Sequence, residues 1–241
     1  MNFPVYVFTS DNYMHALRPF SYLFNKYWSP KQRVIVGGFS YPNFELPPNF
    51  QFYSIGKMED YPASRWSNAV IEFLQHFKDP IFCLMLEDYW ITEPVKITEV
   101  NMLSDYMRQI GYTIKADLYT DRRYAGGVAD YGMCGHIPLV KSDPNSAYHM
   151  SLMCGLWNRN NILKVLIPDE TPWQVEISGT TRLSSFGDDL IVIGTKSWES
   201  SNEKLCPVRH TLALRGGDSS NLLLSELHGE DVEILKELGM I

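Results

Sequence analysis

The sequence predicts an α/β protein with a mostly parallel central sheet flanked by helices, and three observations carry that expectation. Over the first 95 residues, segments of strand and helix pattern alternate, the signature of a sheet with helices packed on it. Ile81 to Leu86 is an unbroken apolar run behind Asp79-Pro80, the composition of a strand buried on both faces. A chain of 241 residues with 45% hydrophobic and 13% aromatic content can bury a large core. No repeat, low-complexity stretch or linker divides it, so we expect one domain over 1-241, a first half of about 1-120 and a second of about 121-241.

Pro4 to Thr9 is β-branched and aromatic and reads as the first strand. Thr9, Ser10, Asp11 and Asn12 follow, small polar residues that suit a helix cap or the hydroxyl and amide contacts of a nucleotide. Met14, Leu17, Phe20, Leu23, Phe24 and Tyr27 recur at helix spacing, with Pro19 expected in the first turns or at a kink. Arg33 to Val36 and Phe50 to Ile55 are the next strands, and Ser64 or Ser67 is expected to cap a helix reaching Phe77. That helix leads into Ile81 to Leu86. Beyond Pro94 the pattern predicts a helix over Thr98 to Gly111 and a strand over Tyr112 to Tyr119, then a long ordered loop from Asp121 to His149. The second half adds an apolar segment, Ser151 to Trp157, a short helix capped by Asn158, and a helix starting at Thr171-Pro172 and reaching about Arg182. Strands at Leu190 to Gly194 and His210 to Leu214, and a terminal helix over Asp231 to Leu238, complete the expectation.

The net charge of −7 and the absence of any Lys/Arg cluster argue against a nucleic-acid surface. No stretch approaches the roughly 18 apolar residues of a membrane span, and the N-terminal residues lack a basic, signal-like region, so a soluble, cytoplasmic protein is expected. Cys83, Cys134, Cys154 and Cys206 are too dispersed for a zinc site and read as reduced, mostly buried thiols. Oligomeric state is not encoded in any heptad or apolar stripe that the sequence displays.

Chemistry concentrates where the central apolar run ends in two carboxylates, Glu87 and Asp88. In open α/β sheets ligands bind at the carboxyl ends of the strands, and paired acids there can hold a divalent cation and, through it, a diphosphate. Equally, acids after a buried strand can be the solvated start of a loop. Gly37-Gly38 does not form the dinucleotide fingerprint. Trp173 and Glu176 stand three apart at a helix start and share a face, while Trp173 also suits a core anchor and Glu176 a capping or salt-bridging role. Asp188 and Asp189 are further acids before a strand, His136 and His149 lie in the long loop, and Asp117 sits within a strand candidate where it can simply face solvent.

Over roughly residues 3 to 200 the sequence resembles bacterial and viral glycosyltransferases of the GT-A fold. The resemblance rests on the opening PVYVFTSDNY, on a helix with Trp66 leading into LMLEDYW, and on SLMCGLWNRNNILKVL followed by TPWQVEISG. It departs from the family at the acidic motif, which reads Glu87-Asp88-Tyr89-Trp90 in place of D-x-D. The resemblance implies a Rossmann-like nucleotide-binding half and an acceptor half. It implies a nucleoside diphosphate sugar such as a UDP-sugar as donor, and a carbohydrate or other hydroxyl as acceptor. Thr9, Ser10 and Asp11 would form the nucleotide platform. Glu87 and Asp88, the better ligand, would organise the diphosphate, through manganese or magnesium if a metal is used. Glu176 would be the acceptor base, with Trp173, Asp188 and Asp189 near the sugar. Two other functions fit the same pattern: a non-catalytic nucleotide-sugar-binding module and a sugar nucleotidyltransferase. The second lacks its usual glycine and basic residue between Thr9 and Tyr13.

Overall fold

The computed structural model describes residues 2–119, 126–196, 204–210 and 224–241. Nine strands form one sheet: β1 (Val5–Phe8), β2 (Val34–Gly38), β3 (Phe50–Ser54), β4 (Ile81–Leu86), β6 (Thr113–Asp117), β7 (Val128–Cys134), β8 (Ile137–Ser142), β9 (Gly155–Asn158) and β10 (Ile191–Thr195). Two more, β5 (Tyr89–Ile91) and β11 (Val208–His210), pair as a separate ribbon. The sheet order is β3-β2-β1-β4-β9-β6-β10-β8-β7. Following the pairings from strand to strand, β8 and β9 oppose the direction of the other strands. The architecture is thus the expected α/β class, a mostly parallel sheet flanked by helices, with β4 an interior strand.

Period-two alternation explains both cores. Val5 and Val7 of β1 join one face with Cys83 and Met85 of β4, whereas Tyr6 and Phe8 join the other with Phe82 and Leu84. Helices α1 (Met14–Tyr27), α3 (Ile97–Gln109) and α6 (Gly229–Glu237) cover the first face, and α2 (Trp66–His76), α4 (Arg159–Val165) and α5 (Pro172–Ser184) the second. Contact between α2 and the sheet is close enough that a Cβ on Gly37 would stand 2.8 Å from the Phe73 ring. Glycine there is a packing requirement. All four cysteines are free and buried. Among the described residues no helix is long and apolar enough to cross a membrane.

Local expectations met tertiary contacts in several places. α1 runs through Pro19, which costs one backbone bond in its second turn. Neither Ser64 nor Ser67 caps α2: a 3-10 turn, Ala63–Arg65, precedes it, and Ser67 is buried with its hydroxyl accepting from Glu170 N at 3.0 Å. The long loop after Asp121 contains a hairpin, β7 and β8, turning at Gly135 with φ +60°. Its outer strand is mostly exposed and slips register between Asp130 and Met133, around Gly132, so no alternation marks it. The expected strand at His210 to Leu214 is observed as Val208–His210, and residues 211–214 lie outside the described region.

Candidate active site at the carboxyl edge of the sheet

β1 and β4 are parallel with Phe8 opposite Leu86, so the residues that follow them, Thr9 and Glu87, emerge side by side at one edge. β6 ends at Asp117 on the same edge, and antiparallel β9 begins there, Gly155 facing both Leu84 and Asp117. The edge therefore gathers Thr9 to Asp11, Glu87 and Asp88, and the segment entering β9.

The Glu87-Asp88 turn between β4 and β5 is built by its aromatic neighbour. Trp90 is fully buried and its indole N–H donates to Glu87 O at 3.0 Å, closing the turn. β5 then pairs antiparallel with β11, which sets His210 opposite Tyr89 and brings its Nε2 to 2.8 Å from Asp88 Oδ2. Truncating Trp90 to Ala should cost about 3–5 kcal/mol in stability. Trp90→Phe should lose less, but chemical denaturation should still register the missing indole bond. A variant as stable as wild type would show that the turn holds itself.

Electrostatics follow from burial. Glu87 is 6% exposed, and removal from water, then the Asp88 charge beside it, push its carboxyl well above the usual range. His210 shifts upward because it donates to Asp88, against an opposing contribution from burial. Tyr13, on the 3-10 turn Asp11–Tyr13, is also raised, by burial and then by Glu87 and Asp88. A carboxyl with a raised folded pKa destabilises the native state as pH rises above its unfolded value, near 4.3. Glu87→Gln should therefore raise the melting temperature of the apoprotein at pH 7, with the gain vanishing below about pH 4. A pH series of melting temperatures checks this, and equal melting of the two proteins at pH 7 would mean that Glu87 is hydrated.

Beside these acids, the segment from Met150 to Cys154 that enters β9 is held at three points. Lys115 Nζ, fully buried and ion-paired with Asp117, donates to Ser151 O at 2.8 Å and lies 5.1 Å from the Trp157 ring. Thr180 Oγ1 accepts from Met150 N at 3.0 Å, and Glu176 Oε1 accepts from Leu152 N at 2.7 Å. Glu176 is half-buried on α5. That helix starts as Pro172 implied, with a capping box between Thr171 and Gln174. Trp173 is 59% exposed and is no core anchor.

The structure thus brings Thr9, Glu87 and Asp88 together and sets Glu176, with Trp173 one turn before it, on a helix bonded to the same edge. Ser10 caps no helix by its side chain. Asp11 accepts from Ser40 N at 3.0 Å and Ser40 Oγ at 2.7 Å, bracing the loop after β2. Asp188 and Asp189 are not on this edge: they precede β10, which runs parallel to β6, so they sit at the opposite edge, exposed, with Asp188 paired to Lys141 at 2.9 Å. An acid before a parallel strand and one after it are separated by the strand's length. Asp117 is buried with Lys115 and does not face solvent. His149 is buried, 3.2 Å from Ser142 Oγ, and His136 is exposed near Glu99. His210 carries no sequence signal, because a lone histidine acquires meaning only through the β5–β11 pairing.

Hard carboxylate donors suit magnesium or manganese. Among the described residues no three His, Cys, Asp or Glu side chains converge as a metal cluster. The donor set fits a cation held by one or two carboxylates and completed by ligand phosphates and water.

No family model matches the chain, and the search of curated proteins gave no match. Among solved structures, it is similar to a cytidylyltransferase from Leptospira borgpetersenii serovar Hardjo-bovis, at a TM-score of 0.48 and 7% identity over 99% of this chain and 95% of that one. It is similar also to S. aureus TarS 1-349, at a TM-score of 0.45 and 11% identity over 80% of this chain and 58% of that one. At these values the functional reading rests on the geometry of the edge.

Proposed function

We propose that the chain is a nucleotide-sugar-dependent glycosyltransferase, its nucleotide half spanning about 1-120 and its acceptor half about 121-241. The observation that carries the reading is the buried acidic turn after an interior strand, Asp88 ion-paired with His210, on the edge that Glu176 also reaches. In this reading Thr9, Ser10 and Asp11 line the nucleotide, and Glu87, Asp88 and His210 face its diphosphate. The bond from the anomeric carbon to the phosphate oxygen breaks as the acceptor oxygen bonds to that carbon. Glu176 takes the acceptor proton, its orientation set by the Leu152 N–H, and Trp173 offers an apolar face to the acceptor sugar. Negative charge grows on the departing diphosphate, and the imidazolium of His210 stabilises it. A manganese or magnesium ion held by Asp88 and Glu87 would supply further neutralisation there.

A panel of nucleoside diphosphate sugars, UDP-sugars first, tests this with and without manganese, reading thermal stabilisation and donor hydrolysis. Stabilisation with slow hydrolysis is expected. Stabilisation without hydrolysis would assign a non-catalytic binding module, and preference for a triphosphate would assign a nucleotidyltransferase.

A further inference from the structure

Away from the acidic turn, the outer face of α1 lines a groove. It consists of two cavities of about 640 and 470 Å³ that share Arg18 and Met240. His15, Arg18, Tyr22 and Lys26 recur at intervals of three and four, and so form one stripe along the helix. The facing wall is the loop after β2, with Tyr41, Asn43 and Phe44 in one cavity and Glu45 and Pro47 in the other. Asp11 closes the end nearest the sheet edge. From Asp11 to Lys26 the helical rise gives a length of about 22 Å.

The chemistry of this lining excludes two ligand classes. Arg18 stands against Asp11 and Glu45, while Lys26 is neutralised by Asp231 at 2.6 Å, so no positive surface is presented to a polyanion. An apolar ligand would leave a guanidinium, carboxylates and amides desolvated without partners. A mixture of donors and acceptors along an extended groove matches hydroxyl groups. Arg18 gives one N–H to Gly239 O at 3.0 Å and makes no other hydrogen bond among the described residues, which leaves most of its fork to a pair of neighbouring oxygens. Tyr41 is 72% exposed, and its ring lies 5.0 Å from that of Phe52, a supported apolar face of the kind on which the C–H side of a pyranose ring rests.

We propose that this groove binds an extended, neutral oligosaccharide, several rings long, at a site separate from the acidic turn. The inference does not require the transfer reaction, because neither Glu87 nor Asp88 lines the groove and the variants tested lie outside the nucleotide platform, which meets the groove only at Asp11. The full chain, its Tyr41→Ala and Arg18→Ala variants and the double variant should be applied to an array of neutral and acidic oligosaccharides, with UDP affinity measured in parallel. Neutral chains should bind more tightly from dimer to hexamer, each single variant should weaken the hexamer by about tenfold, and UDP affinity should not change. Absence of oligosaccharide binding, binding indifferent to both substitutions, or selection of acidic chains over neutral ones would each overturn the proposal. Loss of UDP binding in the Tyr41 variant would also overturn it, by making the groove part of the nucleotide site. Failure of the donor panel would leave the oligosaccharide result readable by itself.

Discussion

Replacing Glu176 by Gln is expected to slow sugar transfer by about 10²- to 10⁴-fold, the contribution of a positioned general base, while donor affinity stays within a few-fold. Gln keeps the side-chain oxygen that accepts from Leu152 N at 2.7 Å, so the segment entering β9 remains braced and the loss isolates proton removal. Glu176→Ala removes that acceptor as well, and should add a stability loss of about 1–3 kcal/mol from an unpaired amide. Steady-state kinetics with saturating donor, set beside donor titration by calorimetry, separates the two effects. A drop of only a few-fold in the Gln variant would return Glu176 to the scaffold. Asp188 and Asp189 would not inherit the role, since β10 carries them to the far edge.

Asp88→Asn should lower transfer by about 10²- to 10³-fold, the size expected when a preorganised electrostatic contact to developing charge is lost. Two things disappear together: a carboxylate for a cation, and the partner that favours the charged form of His210. A folded-state pKa raised for histidine means that the ion pair stabilises fully below its unfolded value, near 6.5, and that this stabilisation fades as pH rises through the raised value. In Asp88→Asn the His210 titration, followed by NMR, should move down, and the difference in melting temperature from wild type should shrink at alkaline pH. If manganese stabilises wild type and the Asn variant equally, Asp88 is not a metal ligand. If His210 titrates identically in both, the ion pair is not formed in solution.

Glu87 and Asp88 are picked out as candidates by a local rule, acids after an unbroken apolar strand. Glu176 is picked out by the resemblance of TPWQVEISG to a family segment, since a helix start by itself favours a capping role. Local rules could not separate Asp188 from Asp88, because both are acids beside apolar runs. Only strand direction tells them apart, placing one after its strand and the other before it. Nor could they find His210, which lies far from Asp88 in sequence and meets it through the antiparallel pairing of two three-residue strands. Asp117 shows the same limit, since its alternation is that of a strand while its burial is decided by Lys115 two residues earlier and by Trp157 across the pair.

The class of the fold and the identity of its interior strand were thus set by the sequence alone, because hydrophobic periodicity is a local property that each segment carries into any environment. The partners of the acids, the choice of edge and the groove along α1 were decided by tertiary structure. They depend on which strands run parallel and which residues distant in sequence meet at their ends, and that is a property of the assembled sheet which no single segment contains.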